Sequence, residues 1–491
     1  MDEPSQINDL TNRFTTENQS KYNFTGWALA NFLESTSRGG VDHFMPIFAR
    51  LIGATSSQIG FMSGLFSLVS IFQLFWINLS LKIRKSKFFV LLGWMITFCL
   101  FIPISLIKIG HFIYLLIIRT IQGFFYSASV STQASLLAEH IPQKERAHKI
   151  GTMTWLGLGG AFCGTIFSGF AVSALSDNLL IDLNISFALL FVWTCILGLL
   201  ASLIFYFSVS DYQPYNKMDS SLTIHREMIY PETRSNLTTL QKINRYYKKF
   251  GNFWRFCVFS GVFYFAVNLA APFFIILKIE VYHISFFMAS VFTSLSTISQ
   301  VILGLLFVRI GLLDKIGRKP PLIIGAFFVA LGTIGVTFPY YFKISVYEWG
   351  FFTWILMGIG WGIFNASLSV FLLDIVHPQY RMQLIAIYNT INGIAMFLGP
   401  LLGGIVIEII NNIPIVFLLR GFIILFCLSI LITVKEPEIP GILIHPLKYF
   451  FIKYFRLGYD RGAEITILPL KVRKINIRKL LSRYKKDPTQ E

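Results

Sequence analysis

Charged residues are scarce. Asp, Glu, Lys and Arg make up 14% of the 491 residues, against about 25% in a typical soluble domain. Acids are scarcer than bases, 25 against 42 Lys and Arg, which leaves a formal charge of +17. Cysteine is also rare: Cys99, Cys163, Cys195 and Cys427 lie inside apolar runs and Cys257 at the edge of one, so neither a disulfide nor a zinc framework is indicated. The eight histidines show no metal-ligand spacing, and there is no phosphate-loop lysine. No clustered His/Asp or Cys group marks an enzyme site. The expectation is therefore a chain that is not an enzyme, drives no ATP motor of its own, and holds no metal or other cofactor. What is abundant is apolar: 54% of residues are hydrophobic and 50 are Phe. A soluble fold of this length could not bury that much apolar surface. The chain belongs in a bilayer.

A hydrocarbon core about 30 Å thick asks for roughly 20 apolar residues per helix. Runs of that length predict twelve spans, at 25–50, 58–81, 88–107, 111–138, 150–174, 185–208, 253–277, 285–308, 321–342, 349–373, 383–407 and 413–434. The polar opening residues followed by a long apolar run predict no cleavable signal peptide. Thirty-five of the 42 Lys and Arg fall in the tails and the loops on the same side; only Arg50, Lys108, Lys278 and Lys343 fall in the opposite loops. The inside-positive rule then predicts a multi-pass protein of the cell membrane with both termini in the cytoplasm. It also accounts for the net charge without a nucleic-acid partner. The domains expected are a cytoplasmic tail at 1–24, a six-helix half at 25–208, a cytoplasmic linker at 209–251, a second half at 252–434 and a basic tail at 435–491. In that tail, Tyr449, Lys453, Arg456 and Asp460 share one helical face with aromatic residues on the other, a pattern suited to the lipid interface, although a solvated tail fits equally beyond about Ile465.

Equal halves suggest duplication. A single offset of 235 maps Gly123 onto Gly358, Gly164 onto Gly399 and Gly169 onto Gly404, and carries Glu139 and Arg146 onto Asp374 and Arg381. Chance predicts about half a glycine match among the seven glycines of that stretch, so an internal repeat is the better reading. Two parallel halves of six helices are the arrangement of major facilitator transporters.

Motifs carry the same resemblance. Asp314, Lys315, Ile316, Gly317, Arg318 and Lys319 form a loop similar to the D-[RK]-x-G-R-[RK] signature of the major facilitator superfamily. The resemblance spans about residues 24–436 and implies a cytoplasmic latch of Asp314, Gly317, Arg318 and Lys319 that holds the halves together when the site faces outward. The first-half counterpart, Lys82 to Lys85, reads as a bare basic turn. Arg119, Gln122 and Gly123 resemble the R-x-x-Q-G signature of the drug–proton antiporter branch. Arg119 either bonds backbone carbonyls or has a task, tuning a carboxylate or gripping an anion. Gly399, Pro400, Gly403 and Gly404 have the G-P-x-x-G-G form that antiporters carry in span five, here in span eleven. Together with Gly123 and Gly164 they read as packing and gating residues.

Span one is the most charged. Glu34, Arg38 and Asp42, spaced i, i+4, i+8, stack on one helix face, with Gly39 and Gly40 between them as a predicted point of local unwinding. They form either a self-neutralised ladder or, lining a wet cavity, a substrate and proton-coupling site with Arg119. The function expected is secondary transport of small organic solutes by alternating access, coupled to H⁺, as export of drug-like molecules by a monomer in contact with lipid. Uptake of an organic anion or sugar, and a non-transporting sensor on the same scaffold, are the alternatives.

Overall fold

The structure, a computed structural model, describes residues 23–83, 85–141, 143–178, 181–209, 250–310, 317–376 and 381–436. Asp314, most of the linker and nearly all of both tails lie outside the described residues, so the expectations placed on them are not addressed. Among the described residues, twelve helical rods follow one another. In the first half they are α1 (Phe24–Leu51), α2 (Ser56–Leu68, continued by a 3-10 turn at Val69–Phe72 and by Gln73–Ile83), α3 (Ser86–Cys99 with Phe101–Ser105), α4 (Phe112–His140), α5 (Gln143–Ser173 with a π turn at Ala174–Asn178) and α6 (Leu183–Ser208). In the second they are α7 (Gly251–Ala270, then Phe273–Ile276 and a π turn at Leu277–Val281), α8 (Phe286–Ile310), α9 (Lys319–Gly335 with Phe338–Phe342), α10 (Val346–Ile375), α11 (Arg381–Ile410) and α12 (Pro414–Thr433).

Among the described residues, ten helices are long and apolar enough to cross a membrane by length and composition alone. α1 is not among them, since it carries Glu34, Arg38 and Asp42. Local chemistry sets the ends and breaks. Thr55 and Gln58 make a reciprocal capping box at the start of α2. In α7, Pro272 has no N–H to give, and the Ala271 N–H bonds Asn268 O at 3.3 Å where the rod kinks.

The α6 rod shows how these helices differ from soluble ones. It buries Ser186, Thr194, Gly198, Ala201 and Ser202 and exposes Ile185, Leu189, Ile196, Leu203 and Phe207. Small residues share the buried face with Phe187, Phe191 and Phe205 and let helices approach closely, while the outward face toward lipid carries large apolar residues. Gly198 shows the tightness: a Cβ there would fall 2.0 Å from the Phe98 ring.

The two halves repeat each other. α1 packs on α5 and α6 as α7 packs on α11 and α12; α3 packs on α4 and α6 as α9 packs on α10 and α12. The halves join along two equivalent seams, α2 with α11 and α8 with α5. The three glycine pairs of the 235-residue offset occupy equivalent crossings. Gly123 lies against Phe66 of α2 and Gly358 against Ser296 of α8. Gly164 approaches Thr36 of α1 and Gly399 approaches Phe265 of α7. Gly169 meets Ser290 across one seam and Gly404 meets Ser56 across the other.

Contacts between the halves gather on the side away from the chain's described ends. Arg50 at the end of α1 pairs with Glu280 of α7 at 3.1 Å, and the Ser57 N–H donates to Glu408 of α11 at 3.0 Å. Aromatic contacts Phe44–Phe286 and Phe170–Phe287 lie on the same side. On the side of the described ends, a cavity of about 710 Å³ lies among α1, α4 and α5, reaching Asn31, Gln133 and Met153. The polar fastenings between the halves thus lie on the side opposite that cavity, around a further cavity of about 730 Å³ lined by Arg50, Glu280 and Glu408.

Candidate substrate and coupling site

Glu34, Arg38 and Asp42 share the inner face of α1, as their spacing predicts. Arg38 donates from Nη1 to Glu34 Oε1 and from Nε to Asp42 Oδ2, both at 3.3 Å. The next link was not readable from any helix period: Arg119 Nη2 of α4 donates to Asp42 Oδ1 at 3.1 Å. Asp42 thus stands between two guanidinium groups on different helices. Arg119 also donates to Gln122 Oε1 at 3.0 Å, and Gln122 Nε2 in turn donates to Thr97 O of α3 at 3.0 Å. Each guanidinium lies on an aromatic face as well, Arg38 on Tyr126 at 4.0 Å and Arg119 on Phe66 at 4.6 Å.

Burial grades along this chain of contacts. The side chains of Glu34 and Arg119 are 7% and 9% exposed, whereas those of Arg38 and Asp42 are 30% and 32% exposed. Glu34, Arg38 and Asp42 all border the 710 Å³ cavity. Asp42 and Arg119 also border a second cavity of about 370 Å³ deeper in the protein, whose other wall comes from Asn268, Phe274 and Pro400 of the second half. One carboxylate therefore touches both cavities and two helices.

Gly39 and Gly40 do not unwind α1, which runs unbroken from Phe24 to Leu51. Their role is close packing. A Cβ on Gly39 would fall 2.6 Å from the Ala161 backbone of α5, and one on Gly40 would fall 3.1 Å from Gly164 O. Opposite them, Gly164 would meet Thr36 O at 1.9 Å. The charged face of α1 is thereby held at a fixed distance from α5. Gly403 meets Leu269 O at 1.9 Å in the corresponding crossing of α11 with α7, and the Pro400 carbonyl lies 2.0 Å from where a Cβ of Gly60 would be. α11 remains helical through Pro400.

At the residues of the predicted latch, Gly317 takes φ +87° and makes the turn into α9. The Arg318 and Lys319 N–H groups both donate to Glu436 Oε1, at 2.6 and 3.2 Å. Lys319 Nζ donates to the carbonyls of Ile432 and Val434 at 2.8 and 2.6 Å, and Arg318 pairs with Asp374 at the end of α10. These partners all belong to the second half. Glu436, two residues beyond the last apolar run, gave no signal except its position.

Lys278 departs most from expectation. Placed in an outer loop by hydropathy, it instead lies inside the π turn of α7 and is 1% exposed. Its Nζ donates to Ala289 O at 2.9 Å and to Thr293 Oγ1 at 2.5 Å, and stands 3.9 Å over the Trp354 ring. Arg420 of α12 lies 2% exposed over Phe274 at 4.9 Å.

A helical bundle of two repeats with a charged cavity between them defines a class of polytopic membrane protein. The sequence profile of the Major Facilitator Superfamily matches residues 27–312 and 256–448, and the chain belongs to that family. Over 145 residues it is 27% identical to the multi-drug resistance efflux pump PmrA of Streptococcus pneumoniae, a match covering 28% of this chain and 35% of that protein. The chain thus spans about a third of the length of that relative. Among solved structures, the nucleoside transporter NupG superposes with TM-score 0.62 at 15% identity, over 84% of this chain and 99% of NupG. The D-xylose-proton symporter gives 0.63 at 16% identity, over 84% and 96%. A bacterial homolog to the human lysosomal transporter Spinster, in an inward-facing and occupied conformation, gives 0.62 at 15% identity, over 85% and 98%. These likenesses establish the fold.

Proposed function

We propose that this protein is a secondary transporter that moves small organic solutes out of the cell, driven by H⁺, by rocking its two halves about the central cavities. Both termini are cytoplasmic in this reading, which puts the cavity bordered by Arg38 and Asp42 on the cytoplasmic side. The observation that carries it is Asp42, whose two carboxylate oxygens are claimed by Arg38 on α1 and Arg119 on α4 at the wall of both cavities. A proton arriving on Asp42 competes with both guanidinium groups, and its departure draws them back. Proton occupancy is thereby tied to the relative placement of two cavity-lining helices. Glu34 keeps Arg38 paired in either state.

Export is favoured over uptake by the similarity to a multi-drug resistance efflux pump and by the antiporter-like signature around Arg119. The latch role of Asp314, Gly317, Arg318 and Lys319 belongs to the same proposal. The partners described for Arg318 and Lys319 tie α9, α10 and the end of α12 into one unit. The test is flux in proteoliposomes carrying the purified protein and a panel of fluorescent dyes, with and without an imposed pH difference. Wild type accumulates dye against its gradient only when the pH difference is present. Asp42→Asn keeps exchange of dye for dye and loses the accumulation. Accumulation by Asp42→Asn equal to wild type would place proton coupling elsewhere.

A further inference from the structure

The deep cavity of about 370 Å³ is walled by both halves, with α1, α2 and α4 on one side and α7 and α11 on the other. The formal charges at its border are those of Asp42 and Arg119, and these two are paired with each other. Much of the remaining wall is apolar, with Met45, Met62, Phe66 and Phe274 supplying thioether and ring surface. A solute entering this space meets no unpaired charge.

Two polar side chains interrupt the apolar wall, one from each half. His43 of α1 has its Nε2 at 3.1 Å from Thr293 Oγ1 of α8. Asn268 of α7 donates from Nδ2 to Tyr264 O at 2.8 Å, one turn back on its own helix. Among the described residues, His43 Nδ1 and Asn268 Oδ1 have no hydrogen-bond partner, and neither atom is sealed off as Arg420 Nε is. Each side chain is thus anchored at one polar atom and leaves the other for an occupant of the cavity. The anchor of His43 is itself held from behind. Lys278, 1% exposed, donates from Nζ to Thr293 Oγ1 at 2.5 Å and to Ala289 O at 2.9 Å. A hydroxyl pinned by a buried ammonium gives the imidazole edge a firm stop.

We propose that the deep cavity takes an uncharged substrate with an apolar or aromatic body, that His43 and Asn268 are its specificity-determining polar contacts, and that Thr293 and Lys278 are positioning residues for His43. Burying a charge costs far more than burying a hydrogen-bonded polar group unless the charge finds a partner, and the charges on this wall already have theirs. Methionine side chains and ring faces accept flat apolar bodies of varied outline. The volume lies near the small end of the roughly 300–1,000 Å³ typical of ligand pockets. A neutral substrate leaves Asp42 to the proton. The two are then linked through the placement of α1 and α4, not by contest for one carboxylate.

This inference rests on the transport reading and names the substrate class of its central cavity, and its test is binding, which needs no flux. The full-length protein in phosphatidylcholine nanodiscs, with empty discs as baseline, is titrated with four naphthalenes of similar outline. They are neutral 2-naphthylacetamide, anionic 2-naphthylacetate, cationic 2-(2-naphthyl)ethylammonium and the hydrocarbon 2-ethylnaphthalene. Wild type binds the amide about tenfold or more tightly than either ion. His43→Phe and Asn268→Leu each weaken the amide by about three- to tenfold, as the loss of one hydrogen bond gives, and leave the hydrocarbon within about twofold. Thr293→Val and Lys278→Met shift the amide in the same direction by about threefold. Hydrocarbon binding shows in every variant that the cavity is intact, so a folding defect is not mistaken for lost specificity. An ion bound as tightly as the amide, no amide binding by wild type, or unchanged amide affinity in both His43→Phe and Asn268→Leu overturns the assignment. Unchanged affinity in both Thr293→Val and Lys278→Met removes the positioning role. If wild type prefers the amide but shows no pH-driven flux of dye, the transport reading fails and the binding assignment stands. If it shows the flux without the preference, the assignment fails and the transport reading stands.

Discussion

The contact between Asp42 and Arg119 lends itself to a double-mutant cycle. The atoms lie 3.1 Å apart, with the Arg119 side chain 9% and the Asp42 side chain 32% exposed. At an effective dielectric constant of about 20 and a charge separation of about 4 Å, attraction amounts to about 4 kcal/mol. Breaking a buried pair from one side typically costs about 3–5 kcal/mol. Three features lower that here. Asp42 is a third open to the cavity, where water screens it. Asparagine keeps an oxygen that accepts from Arg119. And Arg38 still pairs with Asp42 when Arg119 is removed. We expect Asp42→Asn to lose about 2 kcal/mol and Arg119→Gln about 1–2 kcal/mol, with the double variant losing less than the sum by about 1–2 kcal/mol. The assay is reversible unfolding in mixed micelles by titration with an anionic detergent, followed by helicity and tryptophan emission. Additivity to within about 0.5 kcal/mol would refute an energetic link between α1 and α4 through this pair.

Three further outcomes follow from geometry. Gly403→Ala places a Cβ 1.9 Å from Leu269 O and should abolish the folded fraction in size-exclusion profiles, while Gly151→Ala, with nothing within 4 Å, should hold or raise thermal stability by up to about 1 kcal/mol. Glu280→Gln removes the charge that faces Arg50 on the fastened side of the halves. A surface pair of this kind is worth up to about 1 kcal/mol, or about fivefold in population, so thiol labelling of Ser63→Cys from that side should speed by no more than that factor. Glu436→Ala strips the acceptor from two N–H groups in the turn after Gly317 and should cost about 1–3 kcal/mol in the same micelle titration; no measurable loss would show that water replaces the carboxylate there.

The fold was largely legible because its determinants are local or repetitive. Apolar run length marks each crossing of the bilayer, and the glycines at a fixed offset mark backbone crossings that recur in both halves, as Gly164 and Gly399 do against α1 and α7. The stacking of Glu34, Arg38 and Asp42 was readable because a single helix sets it. Contacts between helices were less so. Which acid Arg119 would meet depends on the rotation of α4 against α1, and no period in the sequence encodes that angle. Gly39 and Gly40 suggested a flexible joint, but the identity of the neighbour decides: Ala161 and Gly164 stand so close that only glycine fits. Lys278 was misplaced because hydropathy ends a span at the first charge, whereas here carbonyl, hydroxyl and indole face solvate the ammonium inside the helix turn.

The two seams between the halves have a mechanical consequence. At Gly60 against Pro400 and Gly404 against Ser56, backbone runs directly over backbone, while Gly169 meets the Ser290 side chain. Ring contacts lie along the same two seams, Phe61 with Phe397 and Phe170 with Phe287. Inside each half the rings pack more closely: Phe263 stacks on Phe364 with centroids 4.1 Å apart, and Phe48 meets Phe191 at 4.8 Å. A tilt of one half on the other would therefore have the backbone crossings as its hinge line, and would have to slide the seam rings and part Arg50 from Glu280 and Glu408 from the start of α2.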